Sequence, residues 1–420
     1  MPVCCSHALI RKEKGSNLMK KETASSKLAK TINEATGSAL TDESIARAVG
    51  RDIGDARLAD YQAGDDFSVI GTDLNQNPDK VGAYLNSVAV KYANVFIKSA
   101  RASNPLYMFK RGAIPFGGLI ETVVYDVIRP KVFRADLLDG EENPFAQNFG
   151  RVVGHTYKHF MDLESRNTFL DTIDVVHFQN LTQYHNHILA KINQLINGII
   201  LEEYNQTKMC LAKPLADGYI NKTGVAHNIK ELQQKILYTA RRMRYFTSDY
   251  NKDGITQASK VDDIVVVLPL STSLNLDVNF LANAFNPELF KNVRVRIVEV
   301  DSIPSVYEYT TDHEVTQDDI TSGNVDAREH PVGTTIPAGS LGKAGATDVE
   351  MKLDGSKVGA IVMDRDALQL WDQRKLTLSQ ISNPAKRYTN IFANQKTMLM
   401  FVQSLNSKAL MVDFELGVDD

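Results

Sequence analysis

The sequence predicts an α+β protein, in which helices and antiparallel strands lie in separate parts of the chain. Two strand-like runs flank a polar tip between residues 104 and 165, a long amphipathic helix is predicted at about 178–212, and strand-like runs at 358–363 and 375–414 follow near the C-terminus. The chain has 420 residues, of which 43% are hydrophobic and 23% charged. This is ordinary globular composition, and the length suggests about two to three domains.

The first eighteen residues differ from the rest of the chain. A purine-rich ribosome-binding site, if it were translated, would encode Arg-Lys-Glu-Lys-Gly, which is the sequence of residues 11–15. Met19 follows at a distance suitable for a start codon. We therefore expect translation to start at Met19, which the intact mass of the native protein tests. The segment has no apolar stretch typical of a signal peptide. Its removal would change the formal net charge from -4 to -6.

Residues 20–76 predict an N-terminal arm with little structure. They are polar, rich in small residues and mixed in charge. Short apolar spacings typical of a helix occur at Ile45, Val49 and Ile53. We expect a flexible arm with one short helix.

A stronger helix signal begins at Asn77. This residue is a suitable N-cap, and Pro78 after it is favoured in the first turn of a helix. This helix is expected to end before Asn104. Its apolar stripe consists of Val81, Leu85, Val88, Tyr92, Val95 and Phe96.

Residues 104–165 predict one long β-hairpin. Pro105 stops the preceding helix, and the runs 119–128 and 151–163 are rich in β-branched and aromatic residues that alternate with polar ones. Strands of about ten to thirteen residues would reach about 35–45 Å at ~3.4 Å per residue. Such a hairpin is too long to fold back on its own domain, so we expect a partner to cover its two apolar faces.

The tip of this hairpin, residues 130–150, is polar. Its turn-forming and charged side chains surround two aromatic residues that we expect to be exposed, Phe145 and Phe149. The alternative to a projecting hairpin is two edge strands of one ordinary sheet.

Two more helices are predicted further along the chain. The helix at about 178–212 would be about 50 Å long at ~1.5 Å per residue, with Gly198 as the expected bend. The other helix spans about 228–246. A strand–helix–strand unit then follows at 264–268, 277–285 and 293–300.

Residues 305–357 differ in composition from their surroundings. They hold ten acidic and four basic residues, six glycines, two Tyr and no Phe or Trp. So few large apolar side chains cannot form a sizeable independent core, and we expect an acidic surface insertion.

No calcium site is predicted, although one segment resembles a calcium loop. Asp249, Asn251, Asp253 and Gly254 match the start of that loop, but Lys260 stands where a bidentate Glu is needed. We expect a polar turn here.

The nucleophile, phosphate-binding and disulfide motifs are also incomplete. Residues 338–342 lack the first glycine of a nucleophile elbow, and residues 342–344 lack the Ser or Thr of a phosphate loop. The three cysteines, Cys4, Cys5 and Cys210, form neither a disulfide framework nor a metal-ligand spacing, which favours a reducing compartment. The longest apolar run is far shorter than the ~20 residues of a membrane span.

The histidines predict no metal clamp. His185 and His187 point to different faces of a helix, and His155 and His159 lie about 13 Å apart on a strand. We expect solvated or core histidines. One basic cluster consists of Arg241, Arg242 and Arg244. It could contact phosphate, but the acidic net charge favours a solvated or subunit-pairing face.

Three stretches of the chain carry a resemblance to a known family. The first consists of Asn104-Pro105-Leu106, Phe109-Lys110, Gly112, Ile114-Pro115 and Ile120-Glu121. The second consists of Leu276-Asp277-Val278, Leu281-Ala282 and Ala284-Phe285-Asn286. The third consists of Asp364, Asp366, Asp372 and Asn383-Pro384. In order and spacing, these stretches resemble the major capsid proteins of phi29-like podophages, which are similar in fold to the HK97 capsid protein.

The resemblance implies an HK97-like capsid fold of the α+β class. Its first parts would be an N-terminal arm at 1–76, a peripheral-domain helix at 77–103 and the long E-loop hairpin at 104–165. The rest of the peripheral domain, with its spine helix, would follow at 166–224. An axial domain at 225–363 would include the insertion 305–357, and returning peripheral strands would occupy 364–420. The E-loop would lie over a neighbouring subunit. The residues expected to make that contact are Phe116, Val124, Asp126, Lys131, Phe133, Arg134, Phe145 and Phe149.

The implied function is structural, with no catalytic, cofactor or metal site. Such a protein assembles as homo-pentamers and homo-hexamers into an icosahedral virion capsid, in the host cytoplasm. A scaffolding protein and a portal are expected partners, the double-stranded DNA genome is enclosed without sequence-specific binding, and no membrane is involved. The alternatives are an encapsulin-like nanocompartment shell protein and, more distantly, a soluble α+β enzyme.

Overall fold

The computed structural model describes residues 26–62, 65, 67, 70, 78–91, 103–114, 119–130, 149–170, 181–276, 295–327, 329–386 and 388–414. The chain divides into two units. The first comprises Met1–Ser99, Leu170–Ala190 and Ser382–Tyr388, and the second comprises Ala100–Phe169, Lys191–Ile381 and Thr389–Asp420. One helix, α5 (Leu181–Ala216), runs from the first unit into the second.

Helices form the first unit. They are α1 (Lys27–Thr36), α2 (Asp42–Ile53), α3 (Ala56–Ala59), α4 (Pro78–Lys91) and the first turns of α5. The side chain of Ser26 caps α1, and Thr41 and Ser44 form a capping box at the start of α2. The buried side chains of this unit include Leu28, Ile32, Ile45, Val49, Leu58, Tyr84, Leu85, Val88, Tyr184 and Ile188.

The short helix predicted at Ile45, Val49 and Ile53 is present as α2, but the prediction of an otherwise flexible arm is wrong for the described residues, because α1 and α3 are also helices. The stripes of large apolar residues on α1 and α2 are short, because small residues, alanine and glycine, occupy the remaining positions of each stripe. Gly50 shows why small residues occur here, since a Cβ at this position would lie 2.5 Å from the Leu58 Cβ and the Ala59 nitrogen. Close helix packing needs small residues, and these weaken the hydrophobic pattern in the sequence.

A five-stranded sheet forms the centre of the second unit. Its order is β5 (Val225–Ala226), β15 (Ser407–Val412), β12 (Val358–Asp364), β6 (Ile264–Pro269) and β7 (Arg296–Val300). Strand β12 pairs antiparallel with β15 and β6, whereas the outer pairs are parallel. Alternate residues of β6 belong to two separate cores, one of which includes α6 (Ile229–Arg242) and the other the end of α5. Burial on both faces explains the continuous apolar run of β6.

A second sheet has four strands, in the order β1 (Lys110–Ala113), β13 (Leu368–Asn383), β14 (Tyr388–Phe401) and β4 (Phe160–Leu170). Strands β13 and β14 confirm the strand-like runs predicted near the C-terminus. A short helix, α7 (Leu270–Leu276), follows β6. The helix predicted at 277–285 and the residues 92–102 of the earlier helix prediction lie outside the described residues.

The acidic segment 305–357 forms two small two-stranded sheets. Strand β8 (Val306–Tyr309) pairs with β11 (Val349–Leu353), and β9 (His313–Glu314) pairs with β10 (Thr335–Ile336). Helix α8 (Gln317–Thr321) follows β9. The core of this segment consists of Tyr309, Val315, Val325 and Ile336. Such a small core agrees with the prediction of an insertion that lacks a sizeable one.

The predicted hairpin is present, but its strands are shorter than expected. Strand β2 (Ile120–Tyr125) pairs antiparallel with β3 (Val152–Tyr157), six residues in each strand. The prediction of two strands of ten or more residues is wrong because Lys158 and His159 interrupt the return run. Beyond this break, β4 joins the four-stranded sheet.

Candidate functional site in the β2–β3 hairpin

One face of the β2–β3 hairpin is exposed, and its end at Tyr125 and Val152 is apolar. The strands alternate between half-buried and exposed residues along their length. Tyr125 is paired with Val152 across the strands, and these side chains are 70% and 50% exposed. Beyond the paired strands, Phe149 is 86% exposed and Ile128 is also exposed. We call Tyr125, Ile128, Phe149 and Val152 the outer face. Several large exposed apolar side chains in one hairpin are typical of an interaction surface.

The opposite face of the hairpin is anchored to its own unit through Asp253. The Oδ2 atom of Asp253 lies 2.9 Å from Nε2 of His155 and accepts a hydrogen bond of 2.5 Å from Oγ of Ser404. The guanidinium of Arg151 donates to the Asp253 carbonyl oxygen at 2.6 Å. The hairpin therefore does fold back on its own domain over its described residues, contrary to prediction. The incomplete calcium loop is a polar turn, as predicted, and this turn holds the hairpin.

Two carboxylates hold the hairpin, those of Asp253 and Asp126, and electrostatics favour the charged form of each. Burial alone would raise the pKa of Asp253, but hydrogen bonds from Ser404 and His155 outweigh burial and lower it. The pKa of Asp126 is lowered mainly by the backbone N–H of Thr256, which donates to Asp126 Oδ1 at 2.9 Å. Both carboxylates thus remain ionised at neutral pH and hold the hairpin by charge-assisted hydrogen bonds.

A buried charge cluster fixes the chain just before the hairpin. Nζ of Lys110 lies 2.8 Å from Oε2 of Glu203 on α5 and 3.1 Å from Oδ1 of Asp372 on β13. The amide of Gln395 on β14 also donates to Glu203. Burial would lower the pKa of Lys110, but the carboxylates of Glu203 and Asp372 outweigh burial and raise it. Every charge in this cluster has a partner, which is the condition for burying it without a large penalty.

The structure describes three of the eight predicted contact residues. Val124 and Asp126 are half-buried, with Asp126 hydrogen-bonded to Thr256, and Phe149 belongs to the outer face. The other five, Phe116, Lys131, Phe133, Arg134 and Phe145, lie outside the described residues.

Sequence reasoning missed Tyr125, Ile128 and Val152. The period-two alternation of a strand could have identified Tyr125. Successive side chains point to opposite faces, so Val123 and Tyr125 share one face and Val124 lies on the other. The cross-strand register that brings Val152 opposite Tyr125 cannot be read from the alternation of a single strand.

The predicted core histidine is confirmed at His185. Its side chain is fully buried, with Nδ1 2.8 Å from Oδ1 of Asp42 and Nε2 2.6 Å from the hydroxyl of Tyr84. Burial would raise the pKa of Asp42, but hydrogen bonds from His185 and Ser26 outweigh burial and lower it. His185 thus has a structural role in the first unit.

The described residues contain neither a clustered metal site nor a helix fit to span a membrane. No group of three or more His, Cys, Asp or Glu side chains is placed to bind a metal ion among them. No helix in the described part of the chain combines the length and apolarity that crossing a membrane requires.

Comparison with known proteins gives a consistent result. The family model for the Phi29-like phage major capsid protein matches residues 44–411. The chain is 25% identical over 228 residues to the major capsid protein of Bacillus phage B103, covering 52% of this chain and 50% of that protein. For the major capsid protein of Bacillus phage PZA the identity is 23% over 235 residues, covering 53% and 51%. The chain thus spans about half the length of the curated relatives it matches.

Solved structures support the fold. A chain in the capsid structure of Staphylococcus phage Andhra matches with a TM-score of 0.58 and 17% identity, covering 73% of this chain and 84% of that one. A chain in the structure of head fiber and inner core protein gp22 of native bacteriophage P68 matches with a TM-score of 0.57 and 18% identity, covering 74% and 84%. With the family match, these similarities confirm the predicted HK97-like α+β fold.

Proposed function

Because the chain belongs to the Phi29-like phage major capsid protein family, we propose that it forms the shell of a tailed phage. In this proposal it assembles as homo-pentamers and homo-hexamers into an icosahedral capsid around the double-stranded DNA genome. The observation that carries the proposal is the outer face of the hairpin. This family consists of structural proteins, which excludes the α+β enzyme that the sequence left as an alternative.

The outer face suits a contact between identical subunits. Full burial of one large apolar side chain contributes about 1.5–3 kcal/mol, so four such side chains make a contact of modest strength. A closed shell repeats each contact many times, and a subunit is released only when several contacts break together. The hairpin anchored at Asp253 would present this face in a fixed orientation to the neighbouring copy.

The charge of the chain suits a protein that encloses DNA without binding it tightly. The formal net charge is -4, whereas proteins that bind DNA strongly neutralise phosphates with clustered basic residues. We place the protein in the virion capsid, assembled in the host cytoplasm. A scaffolding protein and a portal are the further partners in this proposal.

Negative-stain electron microscopy of the chain, expressed with the genes that neighbour its own, tests the proposal. We expect closed shells or rings of five and six. A field of monomers or dimers would contradict a capsid function. Shells that enclose a protein cargo without phage DNA would assign the chain to the encapsulin-like alternative.

A matched pair of variants tests the role of the outer face. We expect Val152→Asp to abolish shells because it places a charge in the apolar contact. Val332→Asp is the control, since Val332 is 52% exposed against 50% for Val152 but lies outside the hairpin. Shells of normal yield from Val152→Asp, or equal loss in both variants, would contradict the role of this face.

A further inference from the structure

A second exposed surface lies at the C-terminal end of α6. Leu232, Ala240 and Met243 point into the core. Tyr238, Tyr245 and Phe246 are each about two thirds exposed, at 64%, 65% and 67%, and Arg241 is exposed beside them. Tyr238 and Arg241 are three residues apart and thus share one side of the helix. We call Tyr238, Arg241, Tyr245 and Phe246 the α6 face.

The α6 face combines aromatic side chains with positive charge. Residues 228–247 contain five basic residues and one acid. That acid, Glu231, is already paired with Lys235 at 2.8 Å. Tyr and Arg are enriched among the residues that contribute most to protein–protein binding. The face therefore has the composition of a protein contact with an acidic partner.

An acidic surface lies on this same chain, in the segment 305–357. Some carboxylates of this segment already have a partner in the same copy. Asp319 pairs with His313, and Glu308 pairs with Lys213 on α5. Glu314 at the end of β9 and Asp318 at the start of α8 are exposed. Within the part of the chain that the structure describes, neither these two carboxylates nor Arg241 form an ion pair. We call Glu314 and Asp318 the β9–α8 surface.

We propose that the α6 face of one copy binds the β9–α8 surface of a second copy. Within one copy, α6 packs instead against β5, β12, β15 and α7. The argument is charge complementarity between two exposed surfaces of one chain, which steers association and disfavours wrong partners. A contact between different surfaces repeats head to tail, and it forms a ring when the rotation from copy to copy closes. This inference rests on the proposed shell function and names a contact within its rings.

Nucleic acid is the less suitable occupant of the α6 face. Arginine and aromatic residues also bind single strands. However, the chain is acidic overall, which weakens attraction to phosphate.

Charge reversal on each surface tests the contact. In Arg241→Glu both surfaces are acidic, and in the double variant Glu314→Lys, Asp318→Lys both are basic. We expect each alone to reduce the assembled fraction by at least about tenfold, because like charges then meet at every contact. An equimolar mixture of the two should restore rings of six, in which the variants alternate. Rings of five should not return, because an odd ring cannot alternate.

Controls separate this contact from folding and from the proposed function. Arg374→Glu makes the same charge change at an exposed position on β13 and should assemble normally. Circular dichroism should show the unaltered fold for every variant. Single variants that assemble normally, or a mixture without rescue, would overturn the inference. So would an oligonucleotide affinity that Arg241→Glu abolishes while assembly is unchanged.

Sedimentation covers the remaining case. Failure of the unaltered chain to form rings or shells would count against the proposed function. The contact itself would then be tested by mixing the same two variants. Association of the mixture, but of neither variant alone, would support it, and its absence would overturn it.

Discussion

Asp253 shows how the environment of a residue decides its role. In sequence it belongs to an incomplete calcium loop, whereas in the structure its carboxylate binds His155 and Ser404 and its carbonyl oxygen accepts from Arg151. The sequence predicts the polar turn, because Lys260 excludes calcium. It does not predict the partners, since Arg151, His155 and Ser404 come from distant parts of the chain.

We expect Asp253→Asn to loosen the hairpin without unfolding the subunit. The variant removes the charge that supports two hydrogen bonds, and we expect the free energy of unfolding to fall by about 1–2 kcal/mol. Hydrogen exchange should be faster at residues 152–157 and unchanged in β12. Asp262→Asn, an exposed neighbour, is the control. Unchanged exchange in β3 would show that Asp253 does not anchor the hairpin.

The carboxylate of Asp42 predicts a pH dependence of stability. Its pKa in the folded protein lies below the ordinary value of 3.8, so the unfolded chain binds a proton more tightly. This contribution to stability is complete well above pH 3.8 and is lost as the pH falls through the folded pKa. Asp42→Asn should therefore destabilise the protein by about 1–3 kcal/mol at neutral pH and by less at about pH 3. Urea unfolding at the two pH values measures this, and an equal loss at both would contradict it.

At the scale of elements, periodicity predicted the long and regular pieces well. Helix α5, helix α6 and strands β6 and β12 lie within a few residues of their predicted ranges, because each has a strong apolar pattern. Helix α2 contains the predicted spacing of Ile45, Val49 and Ile53, whereas α1 and α3 were missed because their apolar stripes are short and include small residues. The division of the return run into β3 and β4 was missed because pairing of β4 with β14 is a long-range contact.

The packing of α2 against α3 gives a prediction for two glycines. Gly50→Ala should destabilise the protein by about 1–3 kcal/mol, because its Cβ would overlap Leu58 and Ala59. Gly198→Ala on α5 is the matched control, since its Cβ would find Ser165 Oγ at 3.8 Å, an ordinary contact. Alanine favours a helix, so Gly198→Ala should be neutral or stabilising by up to about 1 kcal/mol. Urea unfolding of both variants measures the difference, and equal stabilities would contradict this packing.

At the scale of the whole molecule, folding and assembly are expected to be separable. The candidate surface could be predicted only in part, because alternation indicates that a strand has an exposed face but not which partner covers it. Among the described residues, two sheets and their cores stabilise the second unit. The outer face, by contrast, contributes little to a single subunit because its side chains remain in water.

Deletion of residues 130–150 should therefore leave a soluble, folded subunit that cannot close shells. Circular dichroism should match that of the unaltered chain, and electron microscopy should show no closed particles. Shells of normal shape would refute the role of the hairpin in assembly. A deletion variant that fails to fold would show that the tip also stabilises the subunit.

The Lys110 cluster has a mechanical consequence. If a neighbouring subunit holds the hairpin, as proposed, internal pressure on the shell would transmit tension to the root of the hairpin. At that root, Lys110 is tied to Glu203 on α5 and to Asp372 on β13, and Gln395 connects β14 to Glu203. The load is thus divided among three long elements, and it must pull a buried ammonium away from two carboxylates before the root yields. In the proposed shell, pressure on the wall would therefore be passed from the hairpin to the body of the subunit.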